Sequence, residues 1–367
     1  SSPFENAYTC IIDQYGDDKC ASFWHADGNK LKKIKSLSDV MSPGAFYTEV
    51  TNFLGYKRYR HEGKVLGLAA YGDSNKLKDK LKLLLNFNPQ EKLFSKIRPL
   101  KLEGLGLIIF VMKKIFTRKI LFRTTESYRI YFKKIFKSYS KEDIAAGAEA
   151  TLEEFVLDFL DYFLKDEYNS NLCLAGGTFA NVKLNQKILE SQKVKDIYVF
   201  PNMGDGGLAV GAAQLAYFEK FNTITSRKIP TNMYLGNEID TKVLDNKLVN
   251  LGLKYQKTSD IAKLTAKFIS KGKIIGLVQG KMEFGPRALC NRSIIASPVD
   301  GSINQKLNKR LNRTEFMPFA PVIRYENAKK IFPELKSYLA AQYMTVTANV
   351  DSVKAGLVVY LKCLATD

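Results

Sequence analysis

Three short runs of alternating apolar and polar residues open the chain, and they predict a meander of three β-strands between residues 8 and 37. The turn signals "YGDD" and "ADGN" separate these runs. Residues 40–90 then show mostly helical spacing of apolar positions. Residues 141–168 carry a clear amphipathic pattern that starts at "SKED", a sequence typical of a capped helix start.

Two strand–turn–helix units follow, each with an apolar run of strand length before a glycine-containing turn. The first is "NLCLAG", "GGTFAN" and "VKLNQKILESQ", and the second is "DIYVFP", "NMGDGG" and "LAVGAAQLAYFEKF". This alternation predicts parallel strands and an α/β fold. The small residues Gly211, Ala212 and Ala213 predict that the last helix packs tightly on the sheet.

The pattern also predicts two domains, at residues 1–235 and 241–367, joined by a polar linker. A basic, aromatic-rich insertion occupies about 95–140 of the first domain. The second domain begins with two helical patterns, and then the aliphatic runs "KIIGLV" and "SIIASP" predict two short buried strands. Between these strands lies the turn "QGKMEFGPRALCNRS", residues 279–293.

Composition adds a strong positive charge: 56 Lys and Arg residues against 37 Asp and Glu residues give +19. That sign suits phosphate-bearing partners, although scattered surface lysine also serves solubility, so both explanations stay open. Five dispersed cysteines without a CxxC pair indicate a reducing compartment rather than a disulfide framework. No signal peptide is evident, and the apolar run "LGLIIFVM" is too short to span a bilayer, so a cytoplasmic protein is expected.

The turn at 279–293 contains two arginines, Arg287 and Arg292, between runs that are predicted to be buried. A buried arginine keeps its charge and needs an anionic partner. Glu283 is the nearest acid in sequence, and one carboxylate cannot match two guanidinium groups. The turn is therefore either at the surface or binds an anion. Farther along, four cationic residues lie at helical spacing: Lys306, Lys309, Arg310 and Arg313. Either they bind an anion together, or they lie on a solvent-exposed face of the helix.

Other candidate residues lie where predicted strands end. Gly176 and Gly177 would let a ligand approach the backbone, with Asn181 as a polar contact or simply a helix cap. Asp205, set between glycines, suits a metal ion or a metal-bound phosphate, or else a turn. Asp13 ends the first strand, and its local sequence alone favours an ordinary turn aspartate.

Five blocks together resemble the NodU/CmcH carbamoyltransferase family: "HEGKVLGLAAYG", "CLAGGTFAN", "VFPNMGDGGLAVGAA", "QGKMEFGPRALCNRSIIASP" and "LNRTEFMPFAPVI". The "EFGPRAL-NRSI" block is the most specific of them. The resemblance implies an actin-like ATPase domain (ASKHA, ribonuclease-H-like) followed by a YrdC-like α/β domain. It also implies that carbamoyl phosphate and ATP give a carbamoyl-adenylate, whose carbamoyl group passes to a hydroxyl of a small-molecule or sugar acceptor.

The resemblance assigns roles to residues of this chain. Arg287, Arg292, Lys306 and Arg310 would hold the polyanionic substrates in the second domain. Asp205 and Asp13 would bind a divalent metal, for which the family suggests iron. The positions implied for nucleotide binding are Gly176, Gly177, Asn181, Gly206, Gly207 and Ser293. No nucleic acid and no stable membrane insertion are expected, and neither the acceptor nor the oligomeric state is indicated.

Three departures from the family's pattern are visible. The family's HxxxH metal histidines have no counterpart, which predicts that an N-terminal segment is missing. Cys290 replaces the glycine usually found after "PRAL", and the tail "DSVKAGLVVYLKCLATD" lacks the family's histidine and arginine block. Two alternatives stay open: an enzyme of the tRNA threonylcarbamoylation type, which the net charge of +19 suits, and a non-catalytic relative that binds membranes or nucleic acid. The basic stretch at 106–138 resembles a membrane-surface helix, or it is an insertion that packs against the first domain and gates the acceptor.

Overall fold

The structure is a computed structural model, and it describes residues 2–28, 30–38, 42–85, 87, 121–164, 169–222, 232–313 and 319–349. Its centre is a five-stranded mixed sheet with the order β3-β2-β1-β4-β5. The strands are β1 (Asn6–Gly16), β2 (Lys19–Asp27), β3 (Lys30–Ser38), β4 (Ser170–Ala175) and β5 (Val194–Val199). The first three are antiparallel, and β4 and β5 run parallel to β1. The predicted meander and the parallel strands are thus confirmed.

The β1–β2 turn shows why this sequence makes a tight hairpin. Gly16 pairs with Lys19, so only Asp17 and Asp18 form the loop, and both have positive φ angles, of 50° and 59°. A two-residue turn needs this left-handed backbone to match the twist of its strands, and aspartate tolerates it better than most side chains.

Helices cover this sheet and supply most of the core. They are α1 (Pro43–Phe53), α2 (Glu62–Ala69), α3 (Lys78–Lys82), α4 (Leu121–Ile135), α5 (Lys141–Phe163) and α6 (Val182–Glu190). The Oγ of Ser140 accepts a hydrogen bond from the Asp143 N–H at 3.1 Å, which confirms the predicted start of α5. On its buried face, Phe159 packs edge-on against Phe23 of β2, with ring centroids 6.1 Å apart.

The next helix, α7 (Leu208–Phe221), differs from the prediction. No residue of α7 is buried, and a Cβ added at Gly211 would find open space. The small residues of α7 therefore do not mark tight packing on the sheet. An apolar sequence shows that a helix face can be buried by packing, but it does not show which surface covers that face.

The remaining elements are α8 (Thr241–Asn250), α9 (Ile261–Ser270), β6 (Ile275–Val278), β7 (Arg292–Ile295), α10 (Ile303–Arg310), α11 (Tyr325–Ile331) and α12 (Tyr338–Gln342). Strands β6 and β7 form an antiparallel ribbon. The prediction that both are buried is wrong, since Val278 is 56% and Ile294 50% exposed. Among the described residues no third strand joins this ribbon, so neither of its outer edges pairs with another strand there.

The chain returns to the first sheet after α11. The buried Asn185 of α6 donates to the carbonyl oxygens of Phe179 and Thr345, at 2.8 and 2.7 Å. Ala340 of α12 belongs to the main core, whereas Tyr343 joins a small second cluster with Met233 and Leu289. The segment 338–345 therefore holds the two parts of the molecule together.

An α/β fold is shown, whereas the actin-like and YrdC-like assignments and the proposed domain limits stay predictions. Residues 88–120, which include the first part of the predicted insertion, and residues 223–231 and 350–367 lie outside the described residues. The four described cysteines, Cys10, Cys20, Cys173 and Cys290, form no disulfide.

Within the described ranges, no helix has the length and apolar character needed to cross a membrane.

Candidate active site

The carboxyl ends of β1, β4 and β5 lie at one edge of the sheet, because these three strands are parallel. Gly176 follows β4 there with a φ angle of 99°, and its N–H donates to the Met203 carbonyl at 2.7 Å. A Cβ at this position would lie 2.2 Å from the Ile12 carbonyl oxygen. Only glycine fits at position 176. Because it has no side chain, the ends of β1 and β4 and the turn after β5 can come into contact there.

Asp13 ties the loop after β4 to the end of β1. Its Oδ2 accepts from the Gly177 N–H at 2.8 Å, and its Oδ1 accepts from the Gln14 N–H at 2.7 Å. The Ser42 hydroxyl donates to the Asp13 backbone carbonyl at 3.0 Å. The structure thus places Asp13 beside the predicted nucleotide loop, where it has a clear architectural role.

Asp205 lies at the same sheet edge, after β5, and is exposed. It begins a short 3₁₀ turn that includes Gly206 and Gly207, and a Cβ at Gly207 would lie 2.2 Å from the Asn202 carbonyl oxygen. No group of three or more His, Cys, Asp or Glu side chains in the described ranges could hold a metal ion. Two carboxylates, one of them engaged by backbone N–H groups, do not make a metal centre by themselves. Metal binding by Asp13 and Asp205 stays a prediction.

Asn181 closes the loop and caps α6. Its Oδ1 accepts from the N–H groups of Lys183 and Leu184, at 3.1 and 3.0 Å. Its Nδ2 donates to Glu149 Oε1 at 2.7 Å. The cap alternative considered from the sequence is therefore present in the structure, and the nucleotide role of Asn181 stays a prediction.

Glu149 is a buried acid that sequence reasoning missed. Its second oxygen, Oε2, accepts from the Tyr47 hydroxyl at 2.7 Å. Burial raises the pKa of Glu149 to about 7, and the hydrogen bond from Asn181 opposes that shift. The signal was present in the sequence, because Glu149 lies at helical spacing between the buried residues Ala145 and Leu152.

The arginine turn has its own internal support. Glu283 Oε1 accepts from the backbone N–H groups of Leu289, Asn291 and Arg292, at 2.8, 2.7 and 3.0 Å. Burial would raise the pKa of Glu283, but the backbone hydrogen bonds outweigh it and hold the pKa below its ordinary value. Glu283 therefore fixes the turn and is not the counter-ion of either guanidinium.

The two arginines have different environments. Arg292 Nη1 donates to the carbonyl oxygens of Gln279 and Asn291, both at 2.8 Å, and Nη2 reaches Gly280 at 3.2 Å. Arg287 instead reaches the loop after β4, where its Nη2 donates to the Ala180 carbonyl at 2.8 Å. Its Nε is buried without a hydrogen-bond partner, and within the described part of the chain no carboxylate forms an ion pair with it. Burial lowers the pKa of Arg287.

The other cations predicted for this site are engaged elsewhere or exposed. Lys306 forms an exposed ion pair with Asp300, and Arg310 is exposed on α10. Ser293 Oγ accepts from the Cys290 N–H at 2.9 Å. Cys290 itself has a φ of 73°, a conformation that glycine adopts with less strain. The structure thus brings Asp13, the loop 176–181 and Arg287 together, and its contacts do not join Lys306 to them.

Comparison with known proteins finds two family models on this chain. The model described as "Carbamoyltransferase N-terminus" matches residues 1–214, and "Carbamoyltransferase C-terminus" matches residues 266–359.

Curated relatives are similar over parts of the chain that range from less than half to almost all of it. An uncharacterized protein of Methanocaldococcus jannaschii is 33% identical over 338 residues, which are 89% of this chain and 59% of the relative. The nodulation protein NolO of Bradyrhizobium diazoefficiens is 31% identical over 97% of this chain and 62% of its own length. The 3'-hydroxymethylcephem-O-carbamoyltransferase of Amycolatopsis lactamdurans is 30% identical over 45% of this chain and 30% of its own length. The chain thus spans about three-fifths of the length of the first two relatives.

Proposed function

This chain is a member of the carbamoyltransferase family, and from that premise we propose that it transfers a carbamoyl group to a hydroxyl of a small molecule or sugar. The name of the Amycolatopsis relative describes transfer of this kind for that protein. The donor we propose is a carbamoyl-adenylate that is made from carbamoyl phosphate and ATP.

The proposed reaction balances in three steps. Hydrolysis of carbamoyl phosphate gives carbamate and phosphate. A carbamate oxygen then attacks the α-phosphorus of ATP, and the bond to pyrophosphate breaks. Finally the acceptor hydroxyl attacks the carbamoyl carbon, the bond to AMP breaks, and the hydroxyl proton is released. Carbamoyl phosphate, carbamate and ATP are all anions, so the site must hold anions.

Arg287 is the observation that supports this proposal best. It combines a half-buried side chain, a fully buried Nε without a hydrogen-bond partner and no ion-paired carboxylate in the described residues. A buried charge without a counter-ion is costly, and a phosphate or carboxylate oxygen would satisfy both its charge and its free N–H. Since Arg287 also contacts Ala180, an anion bound to it would lie beside the loop 176–181.

The loop contributes space rather than free donors. The N–H groups of Gly176 and Gly177 are taken by Met203 and Asp13. Gly177 is nevertheless exposed and has no side chain, so a nucleotide can approach the backbone there. In this proposal Arg287 neutralises the developing phosphate charge, and its electrostatic contribution is larger than that of the loop, whose N–H groups are already used. Arg292 has a different part, because its carbonyl partners fix the turn that presents Arg287.

The test is release of pyrophosphate from ATP in the presence of carbamoyl phosphate. Arg287→Ala removes a charge-assisted contact worth about 1.5–3 kcal/mol, so release should fall about tenfold to 100-fold. Arg287→Lys keeps a charge but lacks the planar fork, so it should recover only part of the rate. Arg324→Ala is the matched control, because Arg324 is exposed and pairs with Glu326 on α11. Equal rates in Arg287→Ala and Arg324→Ala would contradict the assignment.

A further inference from the structure

Glu149 connects three elements that are distant in sequence. It lies on the buried face of α5, receives a hydrogen bond from Tyr47 of α1, and receives another from Asn181 at the end of the loop. Both bonds are 2.7 Å long, one to each carboxylate oxygen. A carboxylate in this position fixes the side chain of Asn181 relative to two helices at once.

Asn181 passes this constraint on to the loop and to α6. Its Oδ1 is used by the N–H groups of Lys183 and Leu184, so its Nδ2 is the atom that responds to Glu149. The residue before it, Ala180, carries the carbonyl that accepts from Arg287. A displacement of Asn181 would therefore move the backbone that Arg287 contacts.

Charged and titratable groups face this carboxylate from each neighbouring element. Tyr47 comes from α1, and Glu62 at the start of α2 lies close enough to act on Tyr47. Glu153, one helical turn farther along α5, forms an ion pair with Lys187 of α6. Glu153 raises the pKa of Glu149, whereas Tyr47 and Lys187 lower it.

We propose that Glu149 is a positioning residue, whose charge holds Asn181 and thereby sets the loop 176–181 and its contact with Arg287. The inference rests on the proposed function in one respect, that this loop faces the nucleotide. Glu149 itself touches no substrate in this assignment. Its part is to control how firmly the loop is held.

The chemistry of the two partners gives the direction of the effect. The Tyr47 hydroxyl can turn from donor to acceptor, so it can remain bonded to a protonated Glu149. The Nδ2 of Asn181 is only a donor, and its bond weakens when the acceptor loses its charge. Protonation therefore loosens the bond to Asn181 first, and the loop should be held more firmly at high pH.

Hydrogen exchange at the Lys183 and Leu184 amides tests this without substrates. Glu149→Gln keeps both contacts, since its oxygen can accept from Asn181 and its amide can donate to Tyr47, but it is neutral at every pH. At equal pH the intrinsic exchange rate cancels between the two proteins. Exchange in Glu149→Gln should be about fivefold faster than in the wild type at pH 8 and equal at pH 6.

Two further variants shift the midpoint of this pH dependence in opposite directions. Glu153→Gln removes a neighbouring negative charge and should move the midpoint to lower pH. Tyr47→Phe removes a stabilising hydrogen bond and should move it to higher pH. A purely structural role for Glu149 would leave these midpoints in place. Because both variants carry Glu149, they test the proposal even if Glu149→Gln fails to fold.

The KM for ATP in pyrophosphate release gives the functional readout. The KM of the wild type divided by that of Glu149→Gln should rise towards one as pH falls through 7, and the ionisation of ATP itself cancels in this ratio. If wild-type protein releases no pyrophosphate but the exchange pattern holds, the positioning assignment stands and the proposed function fails. If pyrophosphate is released while the ratio of exchange rates does not change with pH, the positioning assignment is wrong.

Discussion

At the scale of single residues, Glu149 also links stability to pH. Its pKa of about 7 in the folded chain lies above the ordinary value of 4.5, because burial disfavours the ionised form. A carboxyl group whose pKa is raised on folding contributes its stability fully below 4.5, and that contribution is lost as pH rises through 7. The difference between the two values corresponds to about 3 kcal/mol.

Glu149→Gln should remove this pH dependence. The free energy of unfolding of the variant, minus that of the wild type, should increase from pH 5 to pH 8 by about 2–3 kcal/mol. Urea denaturation at each pH measures it. A difference that stays constant across this range would show that Glu149 titrates at its ordinary pKa in the fold.

Sequence reasoning named candidate residues but did not identify their partners. Arg287 and Arg292 have the same chemistry and lie five positions apart, yet Arg292 is surrounded by carbonyl groups, whereas Arg287 contacts the loop after β4. That difference depends on how the turn docks, which no local pattern encodes. Glu149 was missed because charged residues on an apolar helix face are easily read as surface positions.

At the scale of elements, Gly176 is the point where β1, β4 and the turn after β5 meet. Gly176→Ala would force a side chain into a left-handed backbone and place its Cβ 2.2 Å from the Ile12 carbonyl oxygen. Relief requires separation of strands that are hydrogen-bonded, so the expected loss of stability exceeds about 2 kcal/mol. Urea unfolding of the purified variant provides the measurement.

Gly211→Ala is the matched control for that substitution. Gly211 lies inside α7, its added Cβ meets open space, and its backbone is helical. Alanine should therefore stabilise the helix by up to about 1 kcal/mol. A similar loss of stability in both variants would contradict the special role assigned to Gly176.

Elements were predicted well where the sequence determines them locally. Ser140 caps α5, the aspartate pair forms the first hairpin, and both strand–turn–helix units are present. The errors concern α7 and the ribbon of β6 and β7, in which no apolar residue is buried. A residue is buried only where a second surface packs against it, and the pattern of a segment describes that segment and not its packing partner.

At the scale of the whole molecule, two unequal cores share one element. The main core includes the sheet, α1, α5 and α6, whereas the second buried cluster consists of Met233, Leu289 and Tyr343. Ala340 and Tyr343, three residues apart, contribute to different cores. The position of Arg287 beside Ala180 therefore depends on how firmly the segment 338–345 is attached.

Asn185 supplies the fully buried part of that attachment, beside the contacts of Thr347 with Val182 and Gln186, and Asn185→Ala tests it. The variant leaves the carbonyl oxygens of Phe179 and Thr345 without their buried donor, which should cost about 1–3 kcal/mol. Hydrogen exchange should become faster in residues 338–349 and in the loop 176–181, while β1 to β3 keep their protection. Asn52→Ala, on the exposed side of α1, is the control.

The effect of Asn185→Ala on activity shows whether Arg287 and the loop 176–181 form one binding site or act independently. If the anion binds between Arg287 and the loop 176–181, loosening the segment that joins the cores should lower pyrophosphate release, although Asn185 lies outside the site. Release should fall by a larger factor at low ATP concentration than at saturation, because the bound anion itself draws the two parts together and favours the attached state. Unchanged release, together with faster exchange in residues 338–349, would show that Arg287 acts without the loop 176–181.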